Sequence, residues 1–256
     1  MSTSQRHTRD VIAGRQPVLE ALRAGRPVNK VLLARDVARH SIIAEILYLS
    51  RERHIPVEHV PARALADACR TATHQGVVAY VAAKEYIDLD GLAAVSCGWP
   101  DEPLYVVLDG IEDPQNLGAI LRTADATGVH GVIVRSRRAA GLTAAVSRAS
   151  AGAVEYVPVA RVPNITNAIC SLKEHGVWVV GIDASATMRY TEVDMRSSLA
   201  IVIGSEGKGI SGIVRRHCDI LASIPMRGRV TSLNASVAAA LVMYEAFRQR
   251  DWCGIV

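Results

Sequence analysis

Three short stretches of this 256-residue chain place polar side chains directly after runs that read as buried strands. The first, Asp109 to Asp125 (DGIEDPQNLGAILRTAD), ends a strand in Asp-Gly, turns through a proline and puts Asn116 where a helix N-cap would stand, with Arg122 further along. An Asn there ordinarily caps its helix, and an Arg among Ile120, Leu121 and Ala124 either snorkels to solvent or points into a site at the strand ends. The second, Gly204-Ser205-Glu206-Gly207-Lys208-Gly209, follows the apolar run LAIVI. Its order is G-x-x-G-x-G, which satisfies neither the P-loop pattern nor the dinucleotide order G-x-G-x-x-G, so a nucleotide-phosphate cradle is disfavoured, and a dinucleotide oxidoreductase is too, because DGIEDPQN rather than G-x-G-x-x-G follows Leu108. Glu206 in that turn would repel phosphate, whereas it can hydrogen-bond hydroxyls or position a cation. The third, Ile224 to Asn234 (IPMRGRVTSLN), is a basic loop that opens a helix. Backbone amides at the helix start, beside the side chains of Ser232 and Asn234, form a compact donor array, and either residue also serves as an N-cap. Arg227 and Arg229 flank a glycine and receive no catalytic role.

All three stretches need strands to hold them. Runs at 104–108, 131–134, 154–159, 177–182, 199–203 and 220–224 are short and continuously apolar, and helical segments alternate with them. Continuous rather than alternating hydrophobicity predicts parallel strands buried on both faces, with ligands bound outside their carboxyl ends. The final helix, 234–250, puts Val237, Leu241, Tyr244, Ala240 and Phe247 on one face, which fits either a core or a subunit interface. Before residue 84 the pattern predicts helices over 15–24, 38–53 and 62–70 and strands at 30–34, 55–60 and 76–83, a small α/β unit. The domain division expected is therefore 1–84, a linker over 85–103 without sustained periodicity, and 104–256.

Composition narrows the class. With 50% hydrophobic and 21% charged residues the chain suits a folded soluble domain, and no apolar run reaches the roughly 20 residues of a membrane helix. The polar start MSTSQRHTRD lacks an apolar signal core, and five scattered cysteines form no CxxC pair, so a reducing cytoplasm with free thiols is expected. Histidine and cysteine nowhere cluster at ligand spacing, so no metal is expected. The net charge of +4 is lopsided: residues 1–88 hold 13 basic against 9 acidic residues, and the remainder 16 against 16. Arg accounts for 25 of the 29 basic residues, which suits bidentate phosphate contact, although genome composition can bias Arg over Lys as well.

Taken in order, NLGAILRTADATGV, IVIGSEGKGI and IPMRGRVTSLNASVAAALVMYE resemble the three motifs of the SpoU (TrmH-like) class of RNA ribose 2'-O-methyltransferases, in the SPOUT superfamily. GRQPVLEAL (Gly14 to Leu22) and THQGVVAYV (Thr73 to Val81) resemble the substrate-binding domain of the subgroup that methylates a 23S ribosomal RNA guanosine. The resemblance implies a C-terminal α/β trefoil-knot domain with a parallel sheet and an N-terminal domain like ribosomal protein L30e. Periodicity alone predicts only a plain Rossmann-like sheet. It also implies S-adenosylmethionine as cofactor, ribosomal RNA as partner, and a homodimer with its active site assembled across the interface. Position by position, Asn116 and Arg122 match motif one, Glu206 motif two, and Ser232 and Asn234 motif three. Gly204, Ile224, Met226 and Leu233 correspond to loops that hold the cofactor largely through main-chain groups. The family assigns its motif-one arginine as general base, yet a guanidinium is a poor proton acceptor near neutrality, which favours alkoxide stabilisation and phosphate contact instead. A transfer-RNA enzyme, an antibiotic-resistance enzyme and a non-catalytic RNA-binding protein are the alternatives.

Overall fold

The computed structural model describes residues 10–38, 40–70 and 73–251. In chain order β1 (Asp10–Ala13), α1 (Arg15–Arg23), β2 (Val28–Ala34), α2 (Ser41–Glu52), β3 (Val57–Val60), α3 (Ala62–Cys69) and β4 (Val77–Val81) come first. There follow α4 (Leu89–Ser96), β5 (Leu104–Asp109), α5 (Pro114–Ala126), β6 (Gly131–Arg135), α6 (Ala144–Ala149), β7 (Val159–Val162), α7 (Ile165–Glu174) and β8 (Trp178–Ile182). The chain closes with β9 (Met188–Arg189), β10 (Leu199–Gly204), α8 (Gly212–His217), β11 (Ile220–Ser223) and α9 (Ala235–Gln249). These elements form two compact units, one made of the described residues up to Glu85 with Leu142–Tyr156, the other of Tyr86–Gly141 with the described residues from Val157 onward.

The first unit is a four-stranded sheet in the order β1-β4-β2-β3, parallel only between β2 and β3. Its side chains alternate by face as a strand requires. Val31 and Leu33 of β2 pack with Leu19, Leu22, Ile43 and Ile46, while Leu32 and Ala34 pack with Leu65 on the other face. Residues 142–156, expected in the C-terminal domain, fold with this unit instead. A buried charge explains it: the Glu155 side chain is fully buried, and Oε1 accepts a 2.7 Å hydrogen bond from Arg26 Nη1. Tyr156 donates to Glu20 Oε2 at 2.5 Å. The strand expected at 154–159 is consequently a 3-10 turn over Ala153–Glu155, and the strand proper starts at Val159, after Pro158.

The second unit holds a seven-stranded sheet in the order β7-β6-β5-β10-β8-β11-β9, in which every neighbouring pair is parallel. All six residues of β5 are buried, and five of the six in β10, as expected for strands covered on both faces. The segment expected to be a linker contains α4, capped by Asp88 through Gly91 N at 2.8 Å. Its Leu92 is buried against β6, where a Cβ on Gly131 would lie 2.1 Å from Leu92 Cδ1. One buried leucine anchors this eight-residue helix, too little for a periodic signal to reveal.

Helix α9 packs on α5 and β10 through Ala235, Ala239, Val242, Met243 and Ala246. The face marked in the sequence is the opposite one: Val237, Leu241 and Tyr244 are exposed, so they do not belong to this chain's core.

Candidate active site

Loops at the carboxyl ends of β8, β10 and β11 enclose a cavity of about 380 Å³. It is lined by Ile182 to Ser185, by Gly204 to Gly209, by Ile224 and Met226, and by Thr231, Ser232 and Leu233. The expected cofactor positions, Gly204, Ile224, Met226 and Leu233, therefore share one cavity. Gly204 is fixed there by contact, because a Cβ would stand 2.0 Å from Gly209 C and 2.1 Å from Ile210 N. The Ser205–Gly209 turn folds back on itself through paired backbone hydrogen bonds of 3.1 and 2.8 Å. Asp109, the buried last residue of β5, pins its far end by accepting from Ser211 N at 2.8 Å.

At the rim three predicted residues meet. Asn116 Nδ2 donates to Glu206 Oε1 at 2.7 Å, and Asn234 Nδ2 donates to the same oxygen at 2.5 Å and to Asn116 Oδ1 at 3.0 Å. Asn116 is buried but does not cap its helix. That role falls to Asp113, whose Oδ1 accepts from Gln115 N, with Pro114 at the first helical position. The helix thus starts earlier than expected, and the Asn116 side chain is free to reach Glu206. Asn234, by contrast, does both: Oδ1 caps α9 through Ser236 N and Val237 N, while Nδ2 faces the cluster. Glu206 Oε2 makes no hydrogen bond among the described residues and can accept one from a hydroxyl.

Ser232 lines the cavity without a side-chain bond among the described residues, and Asn234 rather than Ser232 is the cap. Arg122 stands apart. It is exposed on α5, makes no hydrogen bond or ion pair among the described residues, and lines neither this cavity nor the one beside it. Within one chain, then, Asn116, Glu206 and Asn234 converge and Arg122 does not.

The loop after β8 was not anticipated. Asp183 Oδ1 accepts from Ser185 N at 2.8 Å and Ser185 Oγ at 2.7 Å, and Arg215 Nε lies 3.5 Å from Oδ2. Burial alone would raise this carboxyl, but the Ser185 donors and the Arg215 charge outweigh it and hold it below the usual carboxylate range. Asp-x-Ser at a strand end was the available signal. Among the described residues no group of three or more His, Cys, Asp or Glu could hold a metal ion, and no helix is long and apolar enough to cross a membrane.

Residues 103–244, more than half of the chain, match the model of the SpoU rRNA methylase family. The chain belongs to that family. Residues 11–87 match the family described as RNA 2'-O ribose methyltransferase substrate binding. Among SpoU relatives, YacO of Bacillus subtilis (strain 168), of the TrmH family of tRNA/rRNA methyltransferases, is 45% identical over 98% of this chain and 99% of its own length. A TrmH family tRNA/rRNA methyltransferase of Staphylococcus aureus is 48% identical over 95% of this chain and 98% of its own. The SpoU methyltransferase AviRb from Streptomyces viridochromogenes, solved with the cofactor AdoMet, superposes with a TM-score of 0.80. Identity is 28%, over 98% of this chain and 96% of that one. The AdoMet-bound rRNA methyltransferase from Sinorhizobium meliloti superposes at 0.78, with 27% identity over 94% of this chain and 87% of that one. This protein is an RNA 2'-O-methyltransferase of the SpoU and TrmH type, with a SPOUT α/β domain and an N-terminal substrate-binding domain.

Proposed function

We propose that this SpoU protein methylates the ribose 2'-hydroxyl of a guanosine in 23S ribosomal RNA, in the cytoplasm and as a homodimer, using S-adenosylmethionine. The observation that carries the chemistry is the Asn116–Glu206–Asn234 cluster at the rim of the 380 Å³ cavity. The cavity fits the cofactor. Its volume lies within the roughly 300–1,000 Å³ of small-molecule sites, it mixes apolar walls with main-chain groups, and Gly204 lets two backbones close on each other.

When bound, S-adenosylmethionine supplies a methyl group on a sulfonium. The protein's share is to bring the 2'-oxygen into line with it. Holding two reactants in a near-attack arrangement is worth roughly 7–11 kcal/mol. Asn116 and Asn234 fix the Glu206 carboxylate from one side, leaving Oε2 to accept from a ribose hydroxyl and orient it. Arg122 would stabilise the alkoxide as the proton leaves and hold the adjacent phosphate, since a guanidinium stays charged near neutrality.

Arg122 can take that part only if a second protomer delivers it. Its exposed position on α5, and the exposed Val237, Leu241 and Tyr244 on α9 which packs against α5, support a dimer contact along these two helices. The guanosine and 23S preferences rest on the resemblance of Gly14 to Leu22 and Thr73 to Val81 to the ribosomal subgroup.

The test is transfer of labelled methyl from S-adenosylmethionine to unmodified 23S, 16S and transfer RNA separately, with mapping of alkali-resistant linkages. Label at one guanosine of 23S RNA is the expected result. Label in transfer RNA would overturn the substrate assignment, and label in none would overturn the proposal.

A further inference from the structure

A larger cavity, about 770 Å³, adjoins the first. Its walls include Asp109, Asn116, Glu206, Arg135, Arg138 and Lys208, and the Ser205–Gly209 turn borders both cavities. The sheet order explains the pairing. Along the carboxyl edge the strands run β6-β5-β10-β8-β11, so the smaller cavity sits over β10, β8 and β11 and the larger over β6, β5 and β10.

Arg135 ends β6 and Arg138 follows it in the next loop; both are exposed, and neither has a hydrogen-bond or ion-pair partner among the described residues. The same is true of Lys208. Arg138 also has a φ of 56°, in the left-handed region that non-glycine residues rarely adopt, a feature that concentrates at ligand sites. The carboxylates of this cavity are mostly engaged: Asp109 by Ser211 N, Asp113 by Gln115 N, Glu206 by two asparagines, while Glu112 has no partner among the described residues. Its two sides therefore differ in kind. One presents an oriented carboxylate suited to a hydroxyl, the other free guanidinium groups suited to a phosphodiester.

We propose that the larger cavity is the subsite for the target nucleotide, with Arg135 and Arg138 holding a backbone phosphate beside the ribose that Glu206 orients. This rests on the methyltransferase reading, and it adds to it where the acceptor lies and what holds it. A methyl transfer needs the two reacting atoms about 3–3.5 Å apart, which two cavities divided by a single turn allow. Arg135 is two strands from β10, roughly 10 Å at the usual strand spacing, a span covered by an extended arginine side chain together with its hydrogen bond to a phosphate.

The test is a double variant, Arg135→Gln with Arg138→Gly. Glycine accepts the backbone of position 138, so the charge is removed without straining the loop. RNA binding to 23S transcripts is measured against salt concentration, KM and kcat for transfer are determined, and binding of S-adenosylmethionine is followed separately by calorimetry. The expected result is a KM for RNA raised about tenfold or more and a log–log salt slope shallower by about 0.7–0.9, for one phosphate no longer neutralised. Cofactor affinity and kcat should stay within twofold. An unchanged KM and salt slope would overturn the proposal, as would a matching loss of cofactor binding, because the cavities would then not be distinct subsites. Should the wild-type protein bind RNA but transfer no methyl, the methyltransferase reading fails, and the salt slope still decides the role of the two arginines.

Discussion

Asn234 holds two jobs in one side chain, and they can be separated. Its Oδ1 caps α9 while its Nδ2 reaches Glu206 and Asn116. Asn234→Ser keeps a capping oxygen but has no amide to donate, so thermal stability should stay within a few degrees while methyl transfer falls tenfold or more. Near-normal transfer by that variant would show that Asn234 only caps. Loss of the cap as well, in Asn234→Ala, should cost a further 0.5–2 kcal/mol or so in denaturant melts. Cys218 illustrates the opposite case, a reactive type made inert. Burial, then the neighbouring Asp219 charge, push its thiol up to about 11. Maleimide at pH 8 should therefore label the exposed Cys97 and Cys170 rapidly and leave Cys218 unmodified in the folded protein, as peptide mapping would reveal. The sign for stability follows: the unfolded thiol loses its proton near pH 9 and the folded one only near 11, so this group's contribution declines as pH rises through that interval.

Among the elements, the Ser205–Gly209 turn is the one both cavities depend on, and it tolerates little. Gly204→Ala would drive a Cβ to 2.0 Å from the Gly209 backbone, which has no flexible end to move aside. The turn must open, and calorimetry should find cofactor binding lost while far-ultraviolet circular dichroism is retained. Unchanged affinity would mean that the turn does not shape the cofactor cavity. Much of this arrangement was legible beforehand: the strands at β5, β6, β8, β10 and β11 are continuous apolar runs, and the polar residues follow them directly. Helix α4 was not, because Leu92 is its only fully buried large side chain and the acidic, glycine-containing sequence around it reads as a linker. The start of α5 is obscured in the sequence for a different reason. Asp113-Pro114 is the helix-opening pair, but Asn116, three residues on, is an equally good capping type and lies closer to the apolar run.

At the scale of the whole molecule the chain leaves its C-terminal unit after Gly141 and rejoins it at Val157, lending the intervening segment to the N-terminal unit. The Arg26–Glu155 pair holds that loan, with side chains 6% and 0% exposed. Arg26→Ala would leave the buried Glu155 carboxylate with only Lys84, 3.7 Å away, as a charged partner, and should destabilise the protein by up to about 3 kcal/mol in urea melts, whereas Glu155→Gln should cost less. Equal effects would mean that the pair is not what holds the segment. A second prediction concerns assembly. If Arg122 serves the partner's site, mixing inactive Arg122→Ala and Asn234→Ala proteins should restore transfer to roughly a quarter of wild type, because half the dimers then carry one intact site. No recovery after exchange of subunits would place Arg122 in its own chain's site or outside catalysis. The sequence by itself determined the class of sheet, the three polar loops and the family, because these depend on local hydrophobic runs and on ordered short motifs. Only the tertiary structure decided the rest. Strand order, which sets β10 between β5 and β8, brings Asn116, Glu206 and Asn234 onto shared oxygens from three distant stretches. The pairing of Glu155 with Arg26, the exposure of Arg122 and the division of the edge into two cavities are likewise long-range, set by contacts that no local pattern encodes.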